Sequence, residues 1–477
     1  MKRTKIAGLV IVICLLLLGL APNLWTAEYK DFTLSQALKL KPKYDDPHPY
    51  LKDIHPQKFL APEVYKQLTY DVEAMKKAWA ETVGFKAPDV VGKKSPEIKP
   101  GVYNYKDKDK YPGLKELMIP EMYQRFAPGA RPHAGNFPEI KIIPTRQYYY
   151  ALPVAEATKK NEGKTKQDNK GYIVPSSYTA GCPFPRPSGT FKAQQIMYNW
   201  EKRYYHYESA LFVAYSLGFN KSLNEDIHAG GPMHIARLQG RLTMEPFGWF
   251  DKRAETAGEM RALSMGPYEI PQDNFGNAYT SINYEDPNKA DLQLIYIQAL
   301  RRIRKMSATD SQDAVAGQDI IYDDSDAFNQ KLSPTRYPYK YEVAEREMLM
   351  PAITSEGSRY ISSKGLELRN FELERRPVYV ITLTQLDKNY VYGKRTIYMD
   401  RELFLIYHVD NYDQKGRLYR VTEVYNGYVP EMGVFMPAGF LARDYIDLHS
   451  AYMYQFDIPT PSLTREQLLI DRLARVK

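Results

Sequence analysis

Short runs with strand-like alternation dominate the chain from about residue 204 onward. They include residues 210–215, 277–284, 292–298, 378–386, 434–445 and 451–456. The sharpest hairpin pattern runs through residues 403–412, turns at 413–416 and returns over 417–428, with Gly416 supplying the permissive backbone. Few residues separate these runs, and parallel neighbours would need long crossover segments. The pattern therefore predicts antiparallel pairing.

Helical periodicity is less common. It predicts a helix over residues 71–83, where Asp71 can cap the start, Trp79 lies on the apolar face and Gly84 ends the helix. A second helix is expected over residues 191–200. Two further candidates are residues 339–350 and 465–476. Helices this few and this short cannot cover a sheet of about ten strands, so another layer or a ligand must do so.

Both faces of the strongest predicted strands are apolar. In a sheet with one solvent-exposed face, apolar and polar positions would alternate along each strand. An apolar concavity that holds a ligand would explain this. Internal packing, by the N-terminal arm or by another part of the sheet, would explain it equally. If a cavity is present, its candidate contact residues are Tyr379, Ile381, Leu383, Phe404 and Ile406.

The N-terminus has the pattern of a secretory leader. Lys2, Arg3 and Lys5 precede an apolar run over residues 6–18, which is shorter than the roughly 20 residues of a membrane-spanning helix. We expect export to the periplasm or to the periplasmic face of the outer membrane, with the leader either cleaved or kept as an anchor. The expected units are residues 1–27 as signal peptide, 28–112 as a proline-rich arm with one helix, 113–459 as the β-sheet domain and 460–477 as a C-terminal helix.

Composition narrows the class of partner. The chain of 477 residues has 40 tyrosines, which favour strands and half-wet surfaces. Its net charge of +8 is mild and both signs are interspersed, so a nucleic-acid partner is not expected. With Cys14 in the leader, Cys182 has no partner for an internal disulfide. We favour a packed thiol; the alternatives are an intermolecular disulfide and a nucleophile without a base nearby in sequence.

No catalytic motif is visible. The sequence contains no glycine-rich phosphate loop, nucleophile elbow or zinc-protease motif. His228 and His234 flank residues 229–233, which we expect to be flexible. Asp323, Asp324 and Asp326 could hold calcium, but they lack the spacing of a calcium loop, so a solvated turn is favoured. We therefore expect no enzyme activity, no metal and no cofactor.

A basic run covers residues 301–305. On a strand, Arg302 and Arg304 would point to the same side. They could bind an anionic head group or an acidic partner. Alternatively, these charges protect a strand edge against aggregation.

Several short motifs carry a family resemblance in their order along the chain. They lie at residues 123–129, 143–146, 181–187, 284–291, 301–304, 323–329, 392–395, 398–400 and 412–420. The series resembles the bacterial domain-of-unknown-function family 1329, described as outer-membrane lipoprotein-sorting proteins and similar to the periplasmic lipoprotein carriers. It covers roughly residues 113–459.

The resemblance implies a fold that is mainly β with a few helices. Its core would be a large curved antiparallel sheet, an incomplete barrel like that of the lipoprotein carriers, with covering helices and, here, an extended N-terminal arm. The implied function is a non-catalytic carrier or binding protein for a lipid, lipoprotein or other hydrophobic cargo, with its head group near Arg302 and Arg304. Two alternatives stay open: an envelope scaffold or accessory partner of an efflux-type membrane transporter, and an unrecognised hydrolase.

Overall fold

The computed structural model describes residues 44–45, 54–129, 132–266, 275–306, 310–315, 320–353 and 359–470. The predicted signal peptide and residues 471–477 of the predicted C-terminal helix lie outside these ranges. Between residues 460 and 470 the chain forms a short 3₁₀ helix, Arg465–Leu468. None of the helices in the described ranges combines the length and the apolar composition needed to cross a bilayer.

One large sheet dominates the fold. The strands are β1 Gly101–Asn104, β2 Glu139–Ile143, β3 Ser209–Phe219, β4 Glu225–Arg237, β5 Gln239–Arg241, β6 Gly248–Trp249, β7 Glu259–Met265, β8 Ala278–Tyr284, β9 Leu292–Ile297, β10 Arg302–Lys305, β11 Tyr339–Pro351, β12 Tyr360–Ile361, β13 Leu368–Arg369, β14 Glu372–Gln385, β15 Lys394–Asp400, β16 Ile406–Tyr412, β17 Leu418–Val429, β18 Val434–Asp444 and β19 Ser450–Pro459.

Fifteen of these strands form the sheet in the order β1-β2-β14-β15-β16-β17-β18-β19-β3-β4-β7-β8-β9-β10, with β11 added beside β14. Neighbouring strands in this sheet are antiparallel, except that β2 and β14 are parallel to each other. In the described ranges β10 pairs with β9 and β11 with β14, and no pairing joins β10 to β11. The sheet is therefore open. The predicted fold class, mainly β with a large and mostly antiparallel sheet, is confirmed.

Strand β11 corrects one prediction, because residues 339–350 were expected to be helical. The segment contains Glu, Arg, Ala, Leu and Met, which favour helices. It nevertheless pairs with β14 in unbroken register from Tyr339 opposite Gln385 to Pro351 opposite Leu373. A full ladder of backbone hydrogen bonds thus outweighs a weak local preference.

Helices lie mainly in the first two hundred residues: α1 Pro62–Gln67, α2 Val72–Val83, α3 Ala87–Val90, α4 Pro112–Leu117, α5 Pro120–Arg125, α6 Leu152–Lys160, α7 Lys192–Glu201 and, later, α8 Lys252–Ala257. Helix α2 begins and ends as predicted, since the Asp71 carboxylate accepts from the Ala74 amide and Gly84 takes a left-handed backbone. The arm contains more helix than the single one expected, because α1 and α3 also lie in it.

Residues 54–68 of the arm pack against one face of the sheet. Ile54, Leu60 and Val64 belong to the same buried cluster as Val213 of β3 and Phe456 of β19. Val213 and Phe456 are cross-strand partners and therefore point to the same side. We call this side the outer face. Successive side chains of a strand alternate, so Phe212 and Ala214 point to the opposite side, the inner face.

Candidate functional site

The inner face forms the floor of an apolar cavity of about 130 Å³. An apolar cavity of roughly 150 Å³ is large enough to bind a benzene-sized molecule. Six neighbouring strands contribute floor side chains: Phe440 of β18, Met453 and Gln455 of β19, Phe212, Ala214 and Ser216 of β3, Met233 and Ile235 of β4, Leu263 and Met265 of β7, and Tyr279 and Ser281 of β8.

The strand register places these floor residues in parallel rows. Phe212 is opposite Met233, which is opposite Met265, and Met265 is opposite Tyr279. The next row contains Ile235, Leu263 and Ser281. Directly opposed residues in antiparallel strands point to the same face. The floor is therefore built by cross-strand pairing of residues that are distant in sequence.

Small residues leave the space open above the floor. Ala214 is opposite Gly231, and Ser216 follows two residues along the same strand, so this part of the cavity has little side-chain volume. The preceding glycine is required for another reason, because a Cβ on Gly230 would lie 2.2 Å from Cδ1 of Tyr215.

The expectation that residues 229–233 form a flexible stretch is wrong, since they lie within β4.

A short 3₁₀ helix, Tyr322–Ala327, lies over the floor, and we call it the roof helix. Tyr322 stacks on Tyr279 of the floor, with ring centroids 4.9 Å apart. Val315, Ile320, Ser325 and Asp326 complete this side of the cavity.

Two buried aspartates fasten the roof helix to the loop before β15 and to β15 itself. Asp323 accepts from the Tyr390 hydroxyl at 2.7 Å. Asp324 accepts from the Tyr392 hydroxyl at 2.7 Å and from Arg395 at 2.9 Å. Asp324 and Arg395 are both fully buried. The expected solvated turn is therefore wrong. In the described ranges no group of three or more His, Cys, Asp or Glu side chains is arranged to hold a metal ion.

The third aspartate of this cluster, Asp326, fastens the other end of the roof. Its carboxylate lies 2.6 Å from Arg203 and 3.8 Å from Nε2 of His206. His206 Nδ1 lies 2.9 Å from the Asp457 carboxylate. Burial alone would lower the pKa of His206, but Asp457 and Asp326 outweigh it and raise this pKa to about 9. The imidazolium is therefore a fixed cation between two carboxylates.

His206 and Ile235 also line a second, smaller and polar chamber of about 30 Å³. Its lining includes Lys202, Arg203, Arg237 and Arg261 together with Glu201 and Glu208. The whole site therefore has an apolar compartment and a charged one, which meet at His206 and Ile235.

The five predicted contact residues lie elsewhere in the sheet. Tyr379, Ile381, Leu383, Phe404 and Ile406 are all buried in the main core cluster, which also contains residues of helices α2, α4, α5, α6 and α7. Tyr379 and Phe404 stack with ring centroids 6.5 Å apart, and Tyr379 lines a surface recess with Lys192 and Arg401. None of the five lines the cavity under the roof helix. Their role in ligand contact stays a prediction.

Arg302 and Arg304 are exposed on β10, the edge strand. Arg304 is opposite Ile295 of β9, and Ile295 is opposite Tyr279 of the floor. These three side chains therefore share the inner face, and so does Arg302, two residues along. At about 4.8 Å per strand, the backbone of Arg304 lies roughly 10 Å from that of Tyr279.

The residues that line the cavity were not among those predicted to contact a ligand. Ala214, Ser216 and Gly231 are small side chains in strand-like surroundings, which is a weak signal without the register that aligns them. No catalytic group was predicted at the cavity either.

The candidate nucleophile Cys182 does not line the cavity. Cys182 is buried, and burial raises the pKa of its thiol to about 12, so the thiolate needed for nucleophilic attack is scarce.

The model of a family described as protein of unknown function (DUF1329) matches residues 124–462. The chain belongs to the DUF1329 family. This confirms the resemblance noted in the sequence. The cavity floor and the roof helix of this DUF1329 protein both lie within the matched residues. No curated protein matches the sequence.

Three solved structures are similar to this DUF1329 protein at low identity. One is an outer membrane lipoprotein-sorting protein domain from Vibrio parahaemolyticus, with 14% identity, 60% of this chain and 99% of that chain covered, and a TM-score of 0.42. A DUF1329 family protein from Desulfovibrio piger has 12% identity, coverages of 56% and 91%, and a TM-score of 0.37. A LolA superfamily protein from Nitrosomonas europaea has 13% identity, coverages of 59% and 98%, and a TM-score of 0.32.

Replacing Asp324 with alanine in this DUF1329 protein is expected to lower the free energy of unfolding by about 3–5 kcal/mol, because the buried Arg395 guanidinium would lose its carboxylate partner. Urea denaturation measures the change. Asp447→Ala, at an exposed turn, is the control and should change stability by less than about 0.5 kcal/mol. Equal effects of the two substitutions would contradict the role assigned to Asp324.

The His206 cluster predicts a pH dependence. The pKa of folded His206, about 9, lies above the ordinary value of 6.5. Its protonated form therefore stabilises the fold fully below about pH 6.5, and this contribution is lost as the pH rises through 9. The stability difference between the wild type and His206→Gln should shrink from pH 7 to about pH 9.5, measured by urea denaturation at each pH.

His133 is the matched control, because burial lowers its pKa to about 4 and it is neutral across that range. The difference between the wild type and His133→Gln should stay constant. A constant difference for His206→Gln as well would show that the imidazolium is not stabilised by Asp326 and Asp457.

Proposed function

We propose that this protein is a non-catalytic carrier or binding protein for a hydrophobic ligand, such as an acyl chain of a lipid or lipoprotein, and that the ligand occupies the cavity under the roof helix. The observation that carries the proposal is the cavity itself: about 130 Å³ of space beside a floor of Phe, Met, Ile and Leu side chains. Binding would remove apolar surface of both partners from water.

The composition of the floor supports a flexible apolar ligand. Met233, Met265 and Met453 contribute three methionines, whose unbranched side chains adjust to chains of different shape. Each methylene group transferred from water contributes about 0.8 kcal/mol, so even part of an acyl chain provides useful affinity. Hydrogen-bonding groups on the floor are few, which favours a hydrocarbon over a sugar or peptide.

The buried chemistry supports binding more than catalysis. His206 is held between Asp457 and Asp326 as a cation, which is the wrong state for a general base. The same carboxylates are themselves engaged with Arg203 and His206. These groups are arranged to hold the roof helix in place.

The exposed arginines of β10 support an entrance on that side. Arg302 and Arg304 lie on the inner face of the edge strand and form no ion pair among the described residues. Positive charge at the entrance of a cavity increases the rate at which anionic ligands arrive. We propose that Arg302 and Arg304 attract the ligand while it associates with the protein. We propose that the protein acts in the periplasm and hands its ligand to an envelope membrane transporter, in keeping with the leader-like N-terminus of the sequence.

Blocking the floor tests the proposal. Ala214→Phe would place a phenyl ring where Ala214 and Gly231 now leave space. Excluding about three methylene groups of the ligand, at about 0.8 kcal/mol each, should weaken binding roughly 50-fold. The measurement is titration with the neutral fluorescent probe N-phenyl-naphthylamine.

Ala299→Phe is the matched control, since Ala299 is exposed and does not line the cavity. It should bind the probe as the wild type does. Circular dichroism should show both variants folded. If the folded Ala214→Phe protein binds the probe with wild-type affinity, or if the wild type does not bind it, the proposed cavity is not the binding site.

The arginines of β10 make a kinetic prediction. The double variant Arg302→Gln/Arg304→Gln should slow association of an anionic fluorescent fatty acid by about 3- to 10-fold at low ionic strength, because steering by exposed charges is lost. The difference should disappear in about 0.5 M salt, where such charges are screened. Stopped-flow fluorescence measures the rate, and Arg346→Gln on the opposite edge strand is the control.

A further inference from the structure

The polar chamber contains two arginines that face each other across adjacent strands. Arg237 of β4 is directly opposite Arg261 of β7, and both line the chamber. Opposed residues in an antiparallel pair point to the same face, and like charges in that position destabilise the pair. A sheet that retains two opposed arginines inside a chamber therefore bears a repulsion that a bound anion would relieve.

Neither guanidinium forms an ion pair with a carboxylate among the described residues, although Asp326 and Asp291 are near enough to oppose part of the fall in the pKa of Arg261. Arg237 donates to the carbonyl oxygens of Lys202 and Arg203 and stacks on Tyr204, with its Cζ 3.7 Å from the ring centroid. Arg261 forms no hydrogen bond or ion pair with any described residue. Burial, together with the guanidinium groups of Arg203 and Arg237, lowers the pKa of Arg261 to about 9.

The acidic groups around the chamber already have partners. Glu208 accepts from the backbone amides of residues 242, 243 and 244. Glu201 accepts from the Leu332 amide and lies 3.6 Å from Lys202. Asp326 is paired with Arg203. The cations of the chamber that form no ion pair with a described residue are therefore Arg237 and Arg261.

The same two strands connect the arginines to the apolar floor. Along β4 and β7 the opposed pairs are Met233 with Met265, then Ile235 with Leu263, then Arg237 with Arg261. All three pairs lie on the inner face, because each is two residues from the next. The Met pair and the Arg pair are about 13 Å apart along the strands. A molecule lying along this track would meet hydrocarbon first and cations at the end.

We propose that Arg237 and Arg261 bind the anionic head group, a carboxylate or phosphate, of a single-chain amphiphile whose hydrocarbon tail lies on the apolar floor. This rests on the proposed binding function and names its ligand class. Two guanidinium groups side by side suit an anion with two or more oxygens, since each can donate more than one hydrogen bond to it. Arg302 and Arg304 increase the rate of ligand association, whereas Arg237 and Arg261 determine the equilibrium affinity.

Arg261 is the residue to substitute, because Arg237 also supports backbone carbonyls. The experiment displaces N-phenyl-naphthylamine from the full protein with dodecanoate, dodecyl phosphate or dodecanol, which share one chain length. The wild type should bind both anionic amphiphiles at least 10-fold more tightly than dodecanol. Arg261→Gln should lose this preference while its affinity for dodecanol stays the same, and Arg261→Lys should retain part of the preference. Arg346→Gln, on the edge strand β11, should bind all three amphiphiles as the wild type does.

A second measurement does not depend on any ligand. Removing one member of the opposed pair relieves the repulsion, so the Tm of ligand-free Arg261→Gln should be equal to or about 1–2 °C above that of the wild type. A large fall in Tm would show that Arg261 is a structural residue and would overturn the proposal.

The remaining outcomes separate the two proposals. If the wild type binds dodecanol and dodecanoate equally, the head-group site is wrong and the hydrophobic cavity stands. If Arg261→Gln keeps the preference for anions, the site lies elsewhere. If inorganic phosphate alone binds as tightly as dodecyl phosphate, the chamber holds a free anion and the amphiphile is wrong. If neither the probe nor any of the three amphiphiles binds, the proposed function itself fails.

Discussion

The cavity exists because buried carboxylates hold a short helix over an apolar sheet. Asp323 and Asp324 anchor the roof helix to β15 and the loop before it, and Asp326 anchors it to Arg203 and His206 on the far side. Each of these groups would be costly to bury alone, so each fixes the position of its partner. Without these contacts the roof could settle onto the methionines and isoleucine of the floor. Ion pairs thus maintain a space that the hydrophobic effect alone would close.

The two halves of the sheet use their apolar inner surfaces differently. Around β14 and β16 the side chains of Ile381, Leu383 and Ile406 pack within the chain's own core. Around β3, β4 and β7 small residues and a raised roof leave an opening. The arm covers the outer face beneath this second half. Internal packing and an open cavity are therefore both present, in different parts of one sheet.

Much of the fold follows from local sequence signals. The β16–β17 hairpin was predictable because Gly416 takes a left-handed backbone at the turn, and α2 because Asp71 and Gly84 mark its ends. Strand β11 was not, since its helix-forming residues are overruled by pairing with β14. The cavity could not be located, because what covers an apolar face depends on contacts between distant segments. For the same reason the partners of Asp323 and Asp324, some 70 residues further along, could not be named.

The two unjoined edges of the sheet have a consequence for the ligand that we propose. In a closed barrel the number and stagger of the strands fix the circumference, and with it the calibre of the interior. Here β10 and β11 end the sheet without meeting, so the strands on either side of the cavity can spread or tighten without breaking a ring of backbone hydrogen bonds. For the proposed ligand, the width of the hydrocarbon tail would then be a poor criterion for selection, and the polar group at its end would decide which ligands bind.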